Sequence, residues 1–97
     1  MIEIVINKQY GGFGLSPKAK KMYLEFKGKE LKRGEVFYDG DIPRDDCDLI
    51  KVVKTLGVKA NGEYAKLKIV TIPDGIDWEI DEYDGIEWVA EKHLKWD

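Results

Sequence analysis

The side chains best suited to chemistry in this 97-residue chain fall into three groups. The first is Arg44-Asp45-Asp46, with Asp48 close behind. Paired carboxylates next to a guanidinium are the minimum set for a small Asp-dependent hydrolase, but the same residues also suit a helix cap and a local Arg–Asp pair. The second is Asn7 to Lys21, where Tyr10-Gly11-Gly12-Phe13-Gly14 leads into Ser16-Pro17 and a lysine cluster. A strand, a glycine-rich bend and a helix N-terminus together can bind phosphate. Lys18, Lys20 and Lys21 would then offset the anion, and Tyr10 or Phe13 would stack on a base. The motif is neither a Walker A loop nor a dinucleotide fingerprint, so a tight structural turn with solvated lysines is the first reading and the anion site the second. The third is the acidic run Asp77, Glu79, Asp81, Glu87 and Glu91. It could receive a basic partner or stand as a solvated face.

Other chemistry lacks its residues. His93 is the only histidine, so neither a Ser-His-Asp nor a Cys-His set can be assembled. Cys47 is the only cysteine, which rules out an intrachain disulfide or a cysteine metal cluster. No metal or cofactor is implied. The site candidates are therefore binding surfaces. Asn7, Tyr10, Gly11, Gly12, Phe13, Ser16, Lys18 and Arg44 would bind a nucleotide or other anionic ligand. The acidic run would bind a host protein.

The elements that position these groups follow from the chain in order. Residues 2–7 are β-branched and read as a mostly buried strand. Ser16 and Pro17 start a helix whose stripe is Ala19, Met22, Tyr23 and Phe26, and Gly28 ends it. Val36-Phe37-Tyr38 reads as a short strand with a turn at Asp39-Gly40. Asp46 caps a second helix with Leu49, Ile50, Val52, Val53 and Leu56 on its buried face, closed by Gly57. Asn61-Gly62 is a turn, and Tyr64 to Ile72 is a strand ended by Pro73.

The runs 77–82 and 86–91 form a hairpin around Asp84-Gly85. A two-residue loop would pair Ile80 with Val89 and send Trp78 and Trp88 to opposite faces. A three-residue loop, Tyr83-Asp84-Gly85, pairs Ile80 with Trp88 and Trp78 with Ala90. The second gathers Trp78, Ile80, Ile86, Trp88 and Ala90 on one face and the carboxylates on the other. It is the expectation because it alone gives an amphipathic ribbon. Asp81 then faces Glu87, and Asp77 faces Glu91. The tail after Glu91 would dock Trp96.

The expected fold is a single domain over residues 1–97: α+β, two-layer, with a mostly antiparallel sheet of about four strands and two helices packed on one face. The net charge of −3 argues against direct nucleic-acid binding, and no run is long and apolar enough to span a membrane. Charge is unevenly placed: residues 17–33 balance to +5 and residues 74–91 to −8. Such a dipole favours head-to-tail homo-oligomers or partners of either sign.

Asn7, Tyr10 to Ser16, Ile42 to Asp46 and Glu82 to Trp88 together resemble a family of small uncharacterised bacteriophage and prophage proteins. The chain departs from that pattern at Cys47, where proline would be expected, and in the lysine-rich segment 27–33. The resemblance implies a phage accessory role in the host cytoplasm, counter-defence included. It supplies no catalytic residue.

Overall fold

The computed structural model describes residues 1–29 and 38–92. Val36 and Phe37 of the expected short strand, His93 and Trp96 lie outside them. The fold is α+β, with two helices and four antiparallel strands, as expected. The strands form two separate ribbons, β1 (Ile2–Asn7) with β2 (Leu67–Ile72) and β3 (Trp78–Tyr83) with β4 (Ile86–Glu91).

Both helices start and stop where their caps dictate. In α1 (Pro17–Lys27) the Ser16 hydroxyl accepts the Ala19 amide at 3.1 Å, and Gly28 ends the helix in the left-handed conformation. In α2 (Cys47–Leu56) the Asp46 carboxylate accepts the Asp48 and Leu49 amides at 2.8 and 3.2 Å. Lys27, in the last turn of α1, lies 3.0 Å from both Asp46 and Asp48 at the start of α2. A cation at one helix's C-terminus and anions at the other's N-terminus suit both dipoles and hold the helices together.

The apolar cluster brings Val5, Leu15, Ala19 and Tyr23 together with Ile42, Leu49, Val52, Val53 and Ala60, flanked by Leu67 and Ile69. It packs the helices on the β1–β2 ribbon. No residue of the hairpin belongs to it. The hairpin instead approaches β1 through β4.

The hairpin register corrects the three-residue expectation. Ile80 pairs with Val89, Trp78 with Glu91, Asp81 with Trp88 and Glu82 with Glu87. The loop is the two-residue Asp84-Gly85, with φ of 49° and 91°. Positive φ at both central residues is the type I′ turn, whose twist matches the strands and which Asp-Gly favours. Trp78 and Trp88 therefore point to opposite faces. The tryptophans are not gathered on one face because this hairpin does not dock by a hydrophobic face.

Candidate functional site: a polar junction and an outer hairpin face

Much of what sequence reading singled out meets at the end of β1. Asn7 is fully buried, and its groups reach four segments. Its backbone amide donates to Glu87 Oε1 at 2.8 Å, and its side-chain Nδ2 donates to the carbonyls of Gln9 at 2.8 Å and Gly85 at 2.7 Å. Its Oδ1 accepts the Lys66 amide at 2.8 Å. Asn7 thus joins β1 to the entry of β2, the glycine bend and the hairpin turn.

Arg44 and Glu87 complete the junction. The guanidinium grips the carboxylate with both arms, Nη1 to Oε1 and Nη2 to Oε2, the latter at 2.8 Å. Its Cζ lies 3.7 Å from the centre of the Phe13 ring, a cation–π contact. The Arg44 carbonyl also accepts the Val5 amide at 2.8 Å. An edge strand must satisfy its outward N–H groups. Here the Arg44 carbonyl and the Glu87 carboxylate do so for Val5 and Asn7, on the side of β1 away from β2.

The glycines let the backbones close on this junction. The Gly11 amide donates to the Asp84 carbonyl at 3.2 Å. A methyl group on Gly85 would overlap the Gly12 nitrogen and lie 2.7 Å from that of Gly11. Only glycine fits there.

Of the predicted ligand-binding residues, Asn7, Gly11, Gly12, Phe13 and Arg44 are brought together here. Tyr10 is exposed beside them, Lys18 is exposed on α1, and Ser16 is spent on its cap and on the Lys59 carbonyl at 2.6 Å. An internal anion, Asp39, lies at the bend against one of its three lysines. Asp39 Oδ2 accepts the Leu15 amide at 2.8 Å and lies 3.9 Å from Lys20 Nζ. Arg44 pairs with Glu87, not with Asp45 or Asp46 as a local pair would. Asp45 is exposed, while Asp46 is committed to its cap, to Lys27 and to the Tyr23 hydroxyl at 3.1 Å. Burial pushes the Asp46 carboxyl up, but Lys27, the Leu49 and Asp48 amides and Tyr23 together hold it below its ordinary value. Burial, then Asp46, raise the Tyr23 phenol. Asp46, Cys47 and Asp48 place donor atoms close enough for a cation, but the Lys27 ammonium already sits between the two carboxylates.

The acidic run is divided. Glu87, expected on an exposed partner face, is only 4 % exposed and faces Arg44, a correction that follows from the register. Glu79 and Asp81 share the outer hairpin face with Tyr83, Ile86 and Trp88, while Glu91 lies on the face of Glu87 and Trp78. Tyr83 is 67 % exposed and Trp88 42 %. Among the described residues no cation pairs with Asp77, Glu79, Asp81 or Glu91.

Sequence reading missed two residues, Asp39 and the docking role of Glu87. The only trace of the second was that the Arg44 and Glu87 segments both carried the phage resemblance. Compared with family models, curated proteins and solved structures, the chain matches none.

Proposed function

We propose that this is a small, non-catalytic accessory protein of the phage type its motifs resemble, which binds a basic surface of a host protein through the outer face of the β3–β4 hairpin. Counter-defence is one use of such binding. The observation that carries the reading is the company Trp88 keeps. It stands exposed on the hairpin face turned away from the junction, with Tyr83, Glu79 and Asp81, whose carboxylates lack an internal cation among the described residues. Aromatic rings supply rigid contact area and stack on guanidinium and ammonium groups, and unpaired carboxylates steer a basic partner in. The non-catalytic part rests on the single histidine, which leaves no Ser-His-Asp or Cys-His set to assemble.

The test is retrieval from host extract at physiological ionic strength, with tagged wild type, Glu79→Lys/Asp81→Lys and Trp88→Ala, partners being identified by mass spectrometry. One host protein should be retained by the wild type and lost from both variants, whose melting temperatures match the wild type. Equal retention by both variants overturns the reading.

A further inference from the structure

Among the described residues β3 has a strand neighbour on one side only. In a two-residue hairpin the pair closing the turn, Tyr83–Ile86, is hydrogen-bonded, and bonded pairs alternate down the ladder through Asp81–Trp88 and Glu79–Ala90. The Lys92 amide, donating to the Asp77 carbonyl at 2.9 Å, continues that alternation. The backbone N–H and C=O groups of Trp78, Ile80 and Glu82 therefore point away from β4. None of them has a backbone partner among the described residues.

The other strand edges are at least partly covered. Arg44 and Glu87 occupy that of β1, Lys8 Nζ reaches the Glu87 carbonyl of β4 at 3.4 Å, and the Asn61 side chain accepts the Leu67 amide of β2 at 2.9 Å. Among the described residues the β3 edge has no such cover, and it is acidic. Glu79, Asp81 and Glu82 lie along it, and no basic residue occurs between positions 74 and 91.

We propose that the open β3 edge takes up an extended, lysine- or arginine-rich segment of the partner protein as a third strand. Main-chain hydrogen bonds would run to Trp78, Ile80 and Glu82, and alternate basic side chains would lie over Glu79 and Asp81 beside Tyr83 and Trp88. This deepens the reading above and rests on it. Strand addition draws affinity from the backbone and specificity from alternate side chains. Opposite charges across a non-hydrogen-bonded pair are the closest neighbours in such a ladder. The same acids disfavour pairing with a second copy's β3, which would set two carboxylate rows face to face.

The test follows backbone amide exchange by NMR with two short synthetic peptides, one alternating lysine with valine and one alternating glutamate with valine, at physiological ionic strength. The lysine peptide should slow exchange of the Ile80 and Glu82 amides by about tenfold or more, and the glutamate peptide should leave them unchanged. Ile80→Pro, which removes an outward N–H, should abolish the protection. Glu79→Lys/Asp81→Lys, which keeps the backbone intact, should abolish it too. Perturbation of Tyr83 and Trp88 without protection of Ile80 and Glu82 overturns strand addition and leaves face binding standing. Equal protection by both peptides, or binding of neither, also overturns strand addition, and the extract experiment then decides the face reading separately.

Discussion

The two ribbons are alike in length and antiparallel pairing, yet they are held by different forces. The β1–β2 ribbon lies under both helices, with Val5, Leu67 and Ile69 in or against the apolar cluster. The β3–β4 ribbon contributes nothing to that cluster and docks through a carboxylate 4 % exposed, clamped by Arg44 and the Asn7 amide. A lone two-stranded ribbon is marginal in water, so each must borrow stability. One takes it from hydrophobic burial and the other from a polar contact. The teaching is that a hairpin anchored by one buried carboxylate and the carbonyls of its turn keeps its aromatic residues and one edge available for something else.

The comparison is most directly broken at Glu87. Glu87→Ala leaves the Arg44 guanidinium part-buried without its partner and should cost about 3–5 kcal/mol in urea unfolding. Replacing both members by apolar residues, Arg44→Met with Glu87→Leu, should recover much of that loss, because the desolvation of two charges disappears together.

Gly85→Ala probes the close approach of the hairpin turn to the glycine bend. The added methyl needs room held by Gly12 and adopts a φ of 91°, so the backbone strain alone should cost about 1–3 kcal/mol by the same measurement.

Asp46 belongs to the helical side of the comparison. Its folded pKa is depressed, so the stability it contributes is present above the ordinary value of 3.8 and is lost as pH falls through the folded value. Asp46→Ala should cost about 1 kcal/mol near neutrality through the lost cap. The wild-type advantage should shrink on acid titration below the ordinary carboxylate range, read as the difference between the two unfolding curves. The smallest effect is expected at the outer face, where Trp88→Ala should change stability by no more than about 0.5 kcal/mol, as at other exposed positions.

How legible this was from sequence depended on the range of the signal. Ser16-Pro17, Gly28, Asp46 and Gly57 act within one turn of the helix they bound, and α1 and α2 lie where those residues place them. β1 and β2 were legible from their apolar runs, although β2 begins at Leu67, not Tyr64. The Asp-Gly turn is also visible in the sequence, but the amphipathic partition points to the other register. An amphipathic partition requires that a hairpin bury an apolar face, whereas this one buries Glu87. The Arg44–Glu87 pair spans 43 positions, and Arg44 has two aspartates immediately after it, so local reading assigned it to them. Asp39 was equally hidden, since nothing local connects it with the Leu15 amide 24 residues earlier.

The most direct test of the polar anchoring of the hairpin is hydrogen exchange at the Asn7 amide in wild type and Glu87→Ala. That amide bonds to Glu87, whereas the register and the Val5–Arg44 bond direct those of Ile4 and Ile6 to β2. Selective loss of protection at Asn7, with Ile4 and Ile6 still protected, is the expected result. An Asn7 amide as slow in the variant as in the wild type would show that Glu87 does not hold the hairpin to β1.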